Sequence, residues 1–421
     1  MNINTFKAFQ SRNYRLYFAG QSVSLIGTWM QRTAVYWVVY VQTHSTFMLG
    51  LAVFAAQFPS FLFSSLGGVV SDRYNRYKVL VFTQIASLVQ ATLLAALVIF
   101  THYTVWEIFS LSVVLGIINA FDVPARQSMV HELIDNKEDL PNAIALNSSM
   151  VNLARLLGPA ISGIVLEKLG AGTCFSINAL SFVAVIVSLL FMKFPEFIPK
   201  TNKKKVMKEL KEGWVYLKHT PGIGFVVLLL ACNSLFSLPF NTLLPVFAKV
   251  IFKGNASTFG YLNSFIGLGA ISGTIFLASL KSGTDLKKIL FITLLVFGTG
   301  LALFSHTGYL PLALFFATLA GFGMMAQVTI SNTIIQTSST PEMRGRVISY
   351  YAMAFFGLQP IGGLLTGIVS QYIGAPNTIL IQGIAALLIA LVFMPFLRRD
   401  LLKKEDKIKL VELEDPTVKI E

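Results

Sequence analysis

Charge is scarce in this sequence. Only 13% of its 421 residues are Asp, Glu, Lys or Arg, while 54% are hydrophobic, roughly half the charged fraction of an ordinary soluble domain. So little charge cannot cover a large water-facing surface, and no sizeable soluble domain is expected. Cysteine is nearly missing too. Cys174 and Cys232 both lie in apolar runs, with no disulfide framework and no metal-ligand spacing. No phosphate loop of the form G-x-x-x-x-G-K-[ST] occurs, which excludes the usual ATP-driven pump. Neither a hydrolytic triad nor a metal-ligand cluster is evident, so an enzyme, a metal and a cofactor are not expected. Met1 to Asn13 is polar and the first apolar run is too long for a signal-peptide core, so no cleavable signal is expected. The net charge is +13, but no basic stripe or stacking module accompanies it, and nucleic acid is not a predicted partner.

What is abundant is apolar mass. The mean hydropathy is +0.68 and Phe alone contributes 35 residues. A membrane-crossing helix needs roughly 20 mostly apolar residues. Twelve such runs are predicted, at 15–41, 47–70, 79–100, 106–130, 142–167, 172–194, 223–248, 257–280, 288–306, 310–336, 346–372 and 376–397. Hydrocarbon cannot satisfy free backbone groups and no period-2 alternation appears, so the expected fold is all-α. Lys and Arg gather on one side of these spans. Lys7, Arg12, Arg15, Arg73, Arg76, Lys78, Lys137, the run from Lys193 to Lys218, Lys281, Lys287, Lys288, Arg344, Arg346 and the tail share it, against Lys168, Lys249 and Lys253 opposite. The positive-inside rule then places both termini in the cytoplasm of a multi-pass protein of the cytoplasmic membrane.

The halves repeat. Gly158-Pro159-Ala160-Ile161-Ser162-Gly163 precedes Leu169-Gly170-Ala171, and Gln359-Pro360-Ile361-Gly362-Gly363 precedes Ile373-Gly374-Ala375. This predicts two pseudo-symmetric six-helix bundles, residues 1–194 and 223–397, joined by a cytoplasmic linker at 195–222 and followed by a charged tail at 398–421. The Lys203-Lys204-Lys205 cluster in the linker is a topological determinant, or a contact for anionic membrane lipid. A monomer is expected.

The segment Gly67-Gly68-Val69-Val70-Ser71-Asp72-Arg73-Tyr74-Asn75-Arg76-Tyr77-Lys78 resembles the G-x-x-x-D-R-x-G-R-K signature of the major facilitator superfamily, the loop between its second and third helices. Asn75 replaces the family's Gly, and Asn is the next best residue for a left-handed turn. Gly68 is expected to let two helices approach closely. Asp72 can cap a neighbouring helix start, and Arg76 has Asp122, the one carboxylate clearly inside a span, as its best partner. The resemblance implies that Asp72, Arg76 and Asp122 form a cytoplasmic network that latches the outward-facing state, with Gly68, Arg73 and Arg126 as further gating residues. A narrower resemblance runs through Phe9-Gln10-Ser11-Arg12-Asn13-Tyr14-Arg15, Gly27-Thr28-Trp29-Met30-Gln31, Asp122-Val123-Pro124-Ala125-Arg126, Asn152-Leu153-Ala154-Arg155-Leu156-Leu157-Gly158-Pro159 and Pro341-Glu342-Met343-Arg344-Gly345-Arg346. It points to the branch that holds the enterobactin exporter and the macrolide-efflux antiporters, and implies secondary active export by alternating access, driven by protons. Gly158-Pro159 resembles the exporters' antiporter motif. The residues themselves also allow an ordinary packing kink.

Charges at mid-membrane are expensive and mark function by default. Arg32 and Arg155 have no acidic neighbour in sequence. Each either lines a central cavity or plays a structural hydrogen-bonding role. Asp122 and Arg126 share a helix face. Neutral polar residues accompany them: Gln31, Gln57, Asn119, Asn147, Asn152, Asn233, Asn241, Asn263, Gln327, Asn332 and Gln359. Trp29, Trp37, Phe236 and Phe265 can line a pocket. The candidate substrate set is Arg32, Gln31, Arg155, Asn152, Gln57, Asn233, Gln327 and Gln359. Arginines without carboxylates favour an anionic or polyhydroxylated small molecule such as a siderophore. The alternative is a multidrug or macrolide exporter, and a rival from another class is a transport-inactive membrane sensor. Asp122 is the best embedded proton carrier, with Glu132 behind it.

Overall fold

The computed structural model describes the backbone of residues 3–194, 206–281 and 283–414, and their side chains except at 3–5, 72, 206–209 and 397–414. It is all helical in that range. The long elements are α1 (Arg12–Thr43), α2 (Thr46–Arg73), α3 (Arg76–Phe100), α4 (Val105–Met129), α5 (Leu140–Leu169) and α6 (Ala171–Leu190). Then come α7 (Val206–His219), α8 (Pro221–Phe236), α9 (Ala256–Ala278), α10 (Leu286–Ser305), α11 (Leu310–Ser338), α12 (Pro341–Ala352), α13 (Leu358–Ile373) and α14 (Ala375–Glu414). Eleven helical segments among the described residues are long and apolar enough to cross a membrane, rather than the twelve expected. The exception is α1. It has 32 residues, about 48 Å at 1.5 Å per residue, but its interior carries Gln21, Gln31 and Arg32.

Local chemistry sets most helix ends. Ser45 Oγ accepts from the Met48 amide, Asp285 accepts from the amides of Lys287 and Lys288, and Asn255 with Thr258 forms a capping box. The two repeated Gly-Ala turns match in conformation. Gly170 and Gly374 have φ of 82° and 83°, a region open to glycine at little steric cost, and each divides two consecutive helices. Asn75 departs from expectation. Its backbone is extended, with φ −60° and ψ 112°, and its side chain accepts from the Lys78 amide. It acts as the N-cap of α3 and makes no left-handed turn.

Two spans are not simple helices. The seventh, expected unbroken over 223–248, stops at Phe236, passes through a 3-10 stretch at Leu238–Leu243 and ends in a π turn at Phe247–Ile251. Pro239 and Pro245 lie in this stretch, and proline cannot donate to the carbonyl four residues back. The Leu235 carbonyl, left without its Pro239 partner, lies against Gly362. The eleventh contains a π turn at Met353–Gly357 between α12 and α13. The linker also holds a helix. α7 packs on α12 through Glu212–Arg346 at 2.8 Å and a hydrogen bond from Tyr350 Oη to the Leu210 carbonyl at 3.0 Å.

α1 to α6 pack mainly with one another, as do α8 to α14. Two crossings make most of the contact between the sets, α5 with α9 and α2 with α13. Both are lined with glycine. A Cβ on Gly260 would come within 2.6 Å of the Pro159 carbonyl, and one on Gly50 within 2.8 Å of the Gly363 carbonyl. Among the described residues the hydrogen bonds that cross are Ser264 Oγ to the Leu156 carbonyl at 2.9 Å, Asn255 Nδ2 to Glu167 at 2.6 Å and Thr46 Oγ1 to the Gly367 carbonyl at 3.0 Å. Trp37 and Phe259 stack beside them. All these contacts lie in the half of the molecule remote from the linker, around the C-terminal part of α5 and the N-terminal part of α2.

Candidate functional site

Where α1 crosses α5, Gly158 sits against the Trp29 Cβ, the Ile26 carbonyl and the Met30 amide. No larger residue fits there without moving a backbone. One turn on, Ser162 Oγ donates to the Met30 carbonyl at 3.0 Å. This close approach brings residues from two helices onto one indole. The guanidinium carbon of Arg32 is 5.2 Å from the Trp29 ring centroid, and that of Arg155 is 5.4 Å away. Arg32 also lies 5.8 Å from the Tyr36 ring and donates from Nε to Tyr36 Oη at 3.2 Å. Arg155 Nε is buried and has no hydrogen-bond partner. Among the described residues neither arginine has a carboxylate partner; the ion pairs present are Arg76–Glu132, Arg126–Asp122 and Arg346–Glu212. Pro159 removes the amide that would bond the Arg155 carbonyl, and Gly267 of α9 lies against that carbonyl and against Leu156. α5 nevertheless runs unbroken through Pro159.

The other expected substrate residues are dispersed. Asn152 is half-buried, one turn from Arg155 on the same face. Gln57 and Gln359 are also half-buried. They sit level with each other at the α2–α13 crossing, between the Val53–Gly363 and Phe61–Gly357 contacts. Gln31 turns the other way, into the packing of α1 with α3 and α6. Its Nε2 donates to Gln90 at 3.1 Å, and its Oε1 accepts from Asn178 at 2.8 Å. Asn233 and Gln327 are fully buried and hydrogen-bonded to each other. Three buried serines nearby in sequence, Ser234, Ser237 and Ser331, have no hydroxyl partner.

At the linker end, Asp122 is buried. Its Oδ1 accepts from Thr83 Oγ1 at 2.9 Å and Gln84 Nε2 at 2.7 Å, and its Oδ2 lies 3.5 Å from Arg126. Arg76 instead makes a 2.6 Å ion pair with Glu132 and donates to the Ser71 carbonyl. Arg73 is exposed, and the Asp72 side chain lies outside the described residues. The close helix approach falls on Gly67, which meets the Ala120 carbonyl, and not on Gly68, which has open space around it. The Ala120 carbonyl is the one that Pro124 leaves without a helical donor.

A family model described as "Transmembrane secretion effector", of the major facilitator type, matches residues 3–421. The chain belongs to this major facilitator family. It is therefore an integral membrane transporter rather than an enzyme. This major facilitator chain is 27% identical to the staphyloferrin A transporter of Staphylococcus aureus over 94% of its length and 98% of the relative's. It is 24% identical to macrolide efflux protein A of Streptococcus pyogenes, covering 90% and 96% of the two chains. The enterobactin exporter EntS of Escherichia coli is 26% identical, with 84% of each chain covered. Among solved structures, a POT family transporter in complex with a thioalcohol-conjugated peptide superposes with a TM-score of 0.74 at 14% identity, over 92% of this chain and 96% of that one. A bacterial homologue of the lysosomal transporter Spinster gives 0.72 at 13% identity, over 93% and 98%.

Within this major facilitator fold, both arginines, Trp29 and Gly158 were legible in the sequence, but their convergence was not. Tyr36 went unnoticed, although its position four after Arg32 on one helix face was a usable signal. Gly67 and the Arg76–Glu132 pairing depend on helix register and carried no sequence signal of their own.

Proposed function

We propose that this chain exports a small anionic or polyhydroxylated metabolite of siderophore type across the cytoplasmic membrane by alternating access. In this reading α1 is the twelfth span, and residues 1–194 and 223–397 are two pseudo-symmetric six-helix bundles. The linker 195–222, the tail 398–421 and both termini are cytoplasmic, and the transporter works as a monomer in contact with membrane lipid. The contacts between the bundles then lie toward the outside, a geometry suited to loading from the cytoplasm.

The observation that carries the substrate reading is the pair Arg32 and Arg155, gathered on Trp29 without a carboxylate. Two cations at that depth need a counter-charge or solvent, and an anionic solute supplies charge-assisted hydrogen bonds. Gln57, Asn152 and Gln359 offer neutral polar contacts around it. Asp122 is the proposed proton carrier, and Arg76, Arg126, Asp72, Arg73 and the Gly158-Pro159 segment belong to the gating machinery. A second reading, export of macrolides, is favoured by the relative of that name and by the Phe-rich helices.

Uptake into inside-out vesicles decides between them. Energised vesicles should accumulate an anionic siderophore, and Arg155→Ala should abolish that. Accumulation of a cationic macrolide, unchanged or improved by Arg155→Ala, would replace the first reading with the second.

A further inference from the structure

We propose that the α1–α5 site is a clamp for two acidic groups carried on one ligand, a di- or tricarboxylate, and that Trp29 is the positioning residue that sets its spacing. This rests on the anionic-substrate reading and narrows it. Two guanidinium groups from different helices lie 5.2 and 5.4 Å from the same ring centroid, which brings both within reach of one small ligand. The ring's electron-rich face attracts each cation, which offsets part of their mutual repulsion. Each remains short of a counter-charge. Arg32 Nε has only the neutral Tyr36 hydroxyl, and Arg155 Nε is buried with no partner. A single carboxylate engages one guanidinium in its two-pronged fashion and leaves the other cation uncompensated. Two acidic groups on one molecule satisfy both.

The point where the Trp29 side chain leaves the backbone is fixed by the helix crossing. The Cβ lies against Gly158, and the neighbouring Met30 carbonyl is held by Ser162 Oγ at 3.0 Å. Arg32 is three residues after Trp29 on the same helix, while Arg155 arrives from α5. The spacing of the two charges is therefore a property of the helix crossing and not of a flexible loop.

Isothermal titration of the purified full-length protein with lactate, malate and citrate tests this, because the three hydroxy acids carry one, two and three carboxylates. Wild type should bind malate and citrate at least about tenfold more tightly than lactate, the effect expected of one added charge-assisted contact. Trp29→Leu should bring the ratio close to one. Trp29→Phe, which keeps an aromatic face, should retain most of the preference. Gel filtration of each variant establishes that it is folded. Equal binding of the three acids by wild type, or an intact ratio in Trp29→Leu, overturns the clamp and leaves the anionic reading standing. Failure of all three acids to bind, at concentrations where a cationic macrolide does, overturns the anionic reading and the clamp with it.

Discussion

Replacing Gly260 by alanine should shift the protein away from the state with the linker-remote end closed. The added Cβ would stand 2.6 Å from the Pro159 carbonyl and 3.0 Å from the Gly163 Cα. Both are backbone atoms of a helix, so neither can rotate aside, and α5 and α9 must separate by several tenths of an ångström. Overpacking of this kind costs about 1–3 kcal/mol. The penalty falls only on the conformation in which the crossing is closed. At about 1.4 kcal/mol per factor of ten, the ratio of open to closed molecules rises roughly 5- to 150-fold. Gly68→Ala is the control, since nothing lies within 4 Å of a Cβ there. Pulsed electron spin resonance on labels at Thr101 and Gly308, with Cys174 and Cys232 replaced, reads the separation of the two sets at that end. Gly260→Ala should move the distance distribution toward longer values and Gly68→Ala should not. An unchanged distribution in a folded Gly260→Ala protein would refute the idea that this crossing is a closure contact.

Other outcomes follow from the sequence and the same geometry. The Lys and Arg asymmetry of the sequence predicts that a thiol introduced at Lys204, which lies outside the described residues, is inaccessible to impermeant reagents added outside intact cells, and labelling there would overturn the proposed topology. Asp122→Asn keeps an oxygen to accept from Thr83 and Gln84, so the protein should fold and exchange substrate but lose gradient-driven transport; loss of exchange as well would make Asp122 structural. Glu132→Gln removes the 2.6 Å pair with Arg76, and a pair this exposed is worth at most about 1 kcal/mol. The midpoint of thermal unfolding should barely move while transport slows, and a large drop in that midpoint would show the pair to be a stability element instead of a latch.

Much of the architecture was legible in the sequence because lipid leaves few alternatives. An apolar run of about 20 residues in hydrocarbon must satisfy its backbone internally, and only a helix does so for a single segment. The repeated Leu169-Gly170-Ala171 and Ile373-Gly374-Ala375 segments could be matched from residue identity alone, because the backbone there needs glycine. The loop signature was equally readable, since its composition and position agree. Asn75, in contrast, was read by analogy with the family's glycine. The structure instead gives its side chain an amide to cap, an interaction that glycine cannot make.

What only the tertiary structure decided is which side chains meet. A shift of one residue along a helix rotates a side chain by about 100°, which is why Gly67 and not Gly68 meets α4, and why Gln31 faces α3 and α6 while Arg32, its neighbour, lies over Trp29. Embedded arginines can be seen in a sequence, because each is an isolated charge in an apolar run. Their convergence on one ring depends on the separation and angle of α1 and α5, which Gly158 sets by admitting the Trp29 Cβ. Hydropathy locates a residue along the membrane normal. Its direction around the helix is decided by packing between segments far apart in the chain, and at this site that packing brings two separate charges to one ring.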